Sequence, residues 1–217
     1  MNERSFIYMD IIMARKRSVK TSDTRAAILQ AAYASFLENG YHGTSMRDIA
    51  RRAKFTVAAA YNHFKNKEQL YVAVLHAHQP YNHVLPALAN SKVETVEAFV
   101  KRTSRLVTSA LAREPGLIRL VLIEIVEFKG KHIPKLFRDV LPHSLAVVQS
   151  ASKLKGRLRP LPPAVLLRSF LGLVVSYYIT EQVIWKKSQP SMQTDCLDAF
   201  IDIYLHGVIA PSPAHAE

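Results

Sequence analysis

Residues 45–67 read SMRDIARRAKFTVAAAYNHFKNK, and this stretch decides the fold. Ser45 followed three residues later by Asp48 is a capping-box pattern, in which hydroxyl and carboxylate satisfy each other's end of a helix start. The helix it opens runs to about Ala53. Thr56 is a second N-cap, opening a helix barely two turns long, and Asn66 a third, opening a helix from Lys67 to about His78. Arg47, Arg51, Arg52 and Lys54 surround the first pair, and Tyr61, His63 and Lys67 close it with side chains that donate hydrogen bonds to phosphate. A small basic helix pair near the start of a helical chain has the form of a DNA reader.

Working outward, the segment before it carries apolar residues at helical spacing. Ile28, Leu29, Ala32, Tyr33 and Phe36 follow a start at Ser22/Asp23 and end at Gly40, a natural helix stop. After the fourth helix, Pro80 and Pro86 mark a break. Strand signals are nearly absent beyond it. The spacing predicts helices over 92–112, 116–129, 132–153, 162–187 and 192–209, separated by Pro115-Gly116, Gly130, the 155–163 loop and Gln189-Pro190-Ser191. The 162–187 helix has a dense apolar surface through Val165, Phe170, Leu173 and Tyr177. Gly172 and Ser176, four apart on it, let another helix approach closely. Residues 1–20 read as a disordered arm carrying Arg15-Lys16-Arg17 and Lys20, with Met13 as a second possible start beside Met1. Residues 211–217 read as a disordered tail.

Composition narrows the partner. The 217 residues carry a net charge of +12 and are 49% hydrophobic, which suits a soluble chain with a real core. Residues 15–67 hold eleven Lys and Arg against Asp23, Glu38 and Asp48, a net +8, and leave only +4 for everything else. The basic footprint thus coincides with the helix pair, as an electrostatic DNA surface requires. Cys196 is the single cysteine, which excludes an intrachain disulfide and suits a reducing cytoplasm; beside Leu197 it reads as packing. The apolar run Ser169–Thr180 is too short to span a bilayer, so no membrane is expected. His76 and His78 fall on different helix faces and Pro80 separates them from His83, so no metal is expected. No nucleophile–base pair, facing carboxylates or phosphate loop stands out, so neither an enzyme nor a cofactor is expected.

The ordered set Ile28, Ala31-Ala32, Phe36, Gly40, then Thr44-Ser45, Asp48-Ile49-Ala50, then Tyr61, His63-Phe64, Lys67-Glu68 and Leu70 spans three helices. Residues 24–75, about a quarter of the chain, resemble through it the N-terminal DNA-binding domain of TetR-family transcriptional regulators. The resemblance implies an all-α protein. An N-terminal three-helix helix-turn-helix domain, 21–66, would precede a C-terminal helical bundle, 67–210, for ligand binding and dimerisation. It implies a cytoplasmic, ligand-responsive repressor that binds a palindromic operator in double-stranded DNA. Its partners would be itself, as a homodimer through 162–187 and 192–209, and a small-molecule effector.

The resemblance also assigns roles to residues. Ser45, Tyr61, His63 and Lys67 would hold DNA phosphates, and Thr56, Val57, Ala58 and Ala59 would face the bases. Val57, Ala58 and Ala59 offer no hydrogen bond, only contact with thymine methyl groups, so readout leans on Arg47, Thr56 and DNA shape. Arg47 can serve a base edge or a phosphate. Lys54 stands where the family has glycine in the turn: either the turn differs or a left-handed residue is accepted at roughly 1 kcal/mol. The basic arm is either a solvated tail or a groove contact. Candidate effector contacts are Glu124, which interrupts an apolar helix face, with Phe128, Phe99 and Tyr177. Glu127 reads as the partner of Lys131 in a surface ion pair.

Overall fold

The computed structural model describes residues 23–89, 93–138, 140–155, 158–181 and 196–208. The arm 1–20, the tail 211–217 and Gln189-Pro190-Ser191 lie outside them. Among the described residues the chain is all-α, with one isolated bridge between Thr95 and Lys155. The helices are α1 (23–39), α2 (Met46–Arg52), α3 (Val57–His63), α4 (Lys67–Ala77), α5 (Tyr81–Ala89) and α6 (Val96–Arg113). They continue as α7 (Leu117–Glu127), α8 (Ile133–Arg138), α9 (Leu141–Ala151), α10 (Pro163–Ile179) and α11 (Leu197–Val208).

These helices form two compact units. One joins the chain up to Gln79 with Gly116–Ile133; the other joins Pro80–Pro115 with the chain from Pro134 onward. The compact units therefore divide at 79/80 and not at 66/67, and α4 and α7 both belong with the helix pair.

In the first unit Ile28, Phe36, Ile49, Leu70, Tyr71 and Leu120 are fully buried. Burying six such side chains is worth roughly 1.5–3 kcal/mol each before entropy is counted. Tyr71 is also a polar tie. Its hydroxyl donates to the Leu120 carbonyl of α7 over 2.7 Å, and burial pushes its pKa up. Gly116 is required by close approach: a Cβ there would stand 2.2 Å from the Tyr33 hydroxyl of α1. His78, one of the clustered histidines, stacks on Tyr33 with ring centroids 3.8 Å apart.

The second unit is built on Val96, Val100, Leu197, Ile201 and Leu205, with Phe99, Phe170 and Tyr177 packed around them. Two helix expectations change here. The Pro80–Pro86 break contains a helix, α5, with Pro86 inside it; Val84 and Leu88, four apart, are buried and hold that face despite the lost N–H. The expected 132–153 helix is two helices, and α9 begins with Pro142 in its first turn, where a missing N–H costs little.

Candidate nucleic-acid interface

The helix pair is held by local capping. Ser45 Oγ accepts the Asp48 N–H at 3.1 Å, and Thr56 Oγ1 accepts the Ala59 N–H at 3.1 Å. The Ser45 hydroxyl first, helped by the Arg51 and Arg47 charges, holds the Asp48 carboxyl below its ordinary range against the opposing effect of desolvation. Asn66 caps α4 through the Gln69 N–H at 2.7 Å. Ala60 and Phe64, four apart, are buried and anchor one side of α3. The other side carries the exposed Ala58 and the half-buried Ala59, with the exposed Tyr61 at its edge, while the half-buried Val57, three residues before Ala60 and seven before Phe64, shares the anchored side. A short helix with one anchored and one apolar, small-residue face can enter a major groove closely.

Lys54 resolves the turn. Its φ is +60°, and the Phe55 N–H reaches back to the Ala50 carbonyl at 3.0 Å while the Lys54 N–H bonds Arg51. That is the helix ending glycine normally supplies, here with a lysine in the left-handed position. The strain is accepted, and the ammonium is left on an exposed turn beside α3. Lys54→Gly should therefore raise stability by up to about 1 kcal/mol, some 2–4 °C in melting temperature, while weakening DNA binding. A lower melting temperature in a thermal melt would show that the turn is not strained.

The cations around the pair are not equivalent. Arg52 forks onto Glu38 of α1 at 2.5 and 2.6 Å, and Arg51 pairs with Asp48 at 2.6 Å. Arg47, Lys54 and Lys65 are paired with no described acid, and His63 is half-buried beside Phe64. Lys67 is the exception among the expected phosphate donors. Its ammonium donates to the Tyr41 and Thr44 carbonyls, both at 2.7 Å, and lies 4.1 Å from the Tyr41 ring centroid. Burial lowers its pKa. Two of its three N–H donors are thus spent tying α4 to the α1–α2 turn, and one is left for a phosphate.

Sequence reading missed a second clamp on that turn. Glu127, at the end of α7, accepts the Tyr41 and His42 N–H groups at 3.1 and 2.9 Å. The expected pair with Lys131 does not form, because Lys129 and Gly130 both take positive φ and end α7 before another turn. Lys131 instead meets Glu68 of α4 at 2.7 Å, and with His132 it holds the Glu68 carboxyl below its usual range. No local signal marks Glu127, since its partners lie 85 and 86 residues away.

The candidate effector residues divide between the two units, Glu124 and Phe128 in the first and Phe99 and Tyr177 in the second. Glu124 is 1% exposed and accepts the His132 N–H at 2.7 Å, with the His132 ring at 3.0 Å. Phe128 packs on Tyr41 and Tyr71 at 4.4 and 4.9 Å between centroids. Glu124 is thus buried in the first unit, and Phe128 is half-buried against its aromatic cluster. Tyr177 packs on Phe200 of α11. Phe99 lines a cavity of about 120 Å³ inside the second unit.

With this geometry in view, likeness to known proteins can be read. Residues 28–74 match the model of the bacterial regulatory proteins of the tetR family. The HTH-type transcriptional regulator TtgR of Pseudomonas putida is 37% identical over 76 residues, 35% of this chain and 36% of TtgR. The chain thus matches little more than a third of that relative's length. Among solved structures, NalD, the secondary repressor of the MexAB-OprM multidrug efflux pump in Pseudomonas aeruginosa, superposes with a TM-score of 0.65. It is 20% identical over 88% of this chain and 100% of its own. AibR in complex with isovaleryl coenzyme A and operator DNA gives a TM-score of 0.60 at 24% identity over 87% and 100% of the two chains. At such identities the likeness concerns the fold.

Proposed function

The chain belongs to the TetR family of bacterial regulatory proteins, and from that premise we propose that it is a DNA-binding transcriptional repressor released by a small apolar effector. The observation that carries the reading is α3: anchored through Ala60 and Phe64, bare and exposed at Ala58, and flanked by Arg47, Lys54 and Tyr61. Tyr61, half exposed at 50%, and His63 hold phosphates beside the groove, and Lys67 contributes its remaining N–H. Ser45 and Thr56 act chiefly by fixing the helix starts. Arg47 supplies the strongest available base contact, worth about 1–3 kcal/mol if bidentate to guanine.

One recognition helix reads few base pairs, so the active form is a homodimer on a palindrome. Its interface lies on α10 and α11. Val165, Gly172 and Val175 form an outward stripe on α10, and Ile203 and Gly207 one on α11, with open space around both glycines. These stripes are apolar or small, and apolar faces of this kind belong against a partner. AibR, with its operator and an acyl coenzyme A, supports the same division of labour.

The test is the salt dependence of binding. Fluorescence anisotropy on the intergenic DNA beside the chain's own gene should show affinity falling about 10³-fold or more between 50 and 200 mM salt, the loss expected for six or more phosphate contacts. An affinity that hardly moves would sink the electrostatic account.

A further inference from the structure

The second unit holds the cavity lined by Phe99 and, beside it, a more open groove of about 630 Å³. Leu85, Leu88, Phe99, Val147 and Ala151 line both, so five apolar side chains of α5, α6 and α9 stand between the inner space and the outer one. Among the described residues the inner lining contains no Asp, Glu, Lys, Arg or His. Two of its hydroxyls are already committed as donors: Thr103 to the Phe99 carbonyl at 2.8 Å and Tyr204 to the Leu166 carbonyl at 3.1 Å. Among the described residues the groove adds one ionisable side chain, the exposed His143 at its rim.

A charge carried into the inner space would lose its water and meet no counter-charge, a penalty of several kcal/mol. Size sets a second limit. A dry cavity near 150 Å³ admits a benzene ring, so 120 Å³ takes one ring or a short hydrocarbon segment, and anything longer must continue through the dividing wall. That wall has a weak side. Pro86 lines the groove and sits inside α5, where it leaves the Asn82 carbonyl without its helical partner.

We infer that this site takes an uncharged, aromatic or hydrocarbon molecule that enters between α5 and α9, with one ring or short chain inside and the remainder in the groove toward His143. The inference rests on the effector reading above, but it concerns the site and can be tested apart from it. Two fluorescent probes with the same aromatic frame separate the chemistry. The full chain is titrated with neutral N-phenyl-1-naphthylamine and, separately, with its sulfonated relative 1-anilinonaphthalene-8-sulfonate.

The neutral probe should saturate at one per chain, and the sulfonate should bind at least ten-fold more weakly. Val147→Trp, which thickens the wall at a half-buried position, should weaken the neutral probe at least ten-fold with helical circular dichroism retained. Should that variant not fold, the smaller Val147→Phe serves in its place with at least three-fold weakening. Equal affinity for the two probes, or tight binding of the neutral probe to a folded Val147 variant, overturns the inference. Adding the neutral probe to the protein–DNA complex addresses the other reading. Saturable binding that leaves the complex intact keeps the site and removes its effector role; a complex that forms normally in a protein with no saturable site removes this inference alone.

Discussion

The Glu124→Ala protein should unfold about 3–5 kcal/mol more easily than the native chain, lowering the melting temperature by on the order of 10 °C. The carboxylate is 1% exposed and accepts from both the His132 backbone N–H and the His132 ring. Alanine leaves two buried donors without water or partner, each costing about 1–3 kcal/mol, and adds a small cavity. The damage spreads because His132 also meets Glu68 of α4 at 2.9 Å, so α7 loses part of its hold on α4. Thermal melts followed by circular dichroism measure this directly. Glu124→Gln keeps one acceptor and the shape, and should fall between the two. A Glu124→Ala protein within about 0.5 kcal/mol of native would mean that this acid carries no structural load. Its sequence reading as a ligand handle would then reopen.

That acid shows where sequence was informative and where it was not. Ser45, Thr56 and Asn66 were readable as caps because each bonds an N–H three residues away. Capping is local chemistry, and so is the positive φ at Gly40 that ends α1. Lys54 was readable as an anomaly but not as an outcome, since only the hydrogen bonds around it decide between a different turn and a strained one. Glu124 and Glu127 were visible as acids on an apolar helix, a pattern that serves a ligand, an ion pair or a buried amide equally well. Their partners are set by tertiary packing: α7 docks on α4 and on the α1–α2 turn although Pro80–Pro115, which belong to the other unit, intervene in sequence. Pro86 misled for a related reason. Its cost to α5 is local, but the burial of Val84 and Leu88 that offsets it is not.

Replacing Ile203 with aspartate should leave each chain folded and separate the proposed dimer. Ile203 is 72% exposed on α11, so a carboxylate there stays hydrated in the monomer and should change its stability by no more than about 0.5 kcal/mol. In the proposed interface the same position faces another helix, and two symmetry-related carboxylates would lose water together without a cation to meet them. Gly207, four residues on, has nothing within 4 Å of where a Cβ would stand, so a partner helix has room to come close at this level. Loss of the dimer removes the second head and with it the effective concentration that makes two weak half-site contacts one strong one. DNA affinity should therefore fall about 10²–10⁴-fold. Light scattering after size exclusion would read the mass, and anisotropy on the intergenic DNA the affinity. Gly172→Trp, on the α10 stripe, should act the same way by volume instead of charge. The two routes together distinguish an interface from a chance effect of one substitution. If Ile203→Asp remained dimeric with native affinity, the interface would have to be sought elsewhere, and the exposed Leu122, Ile125 and Val126 of α7 would be the next surface to alter.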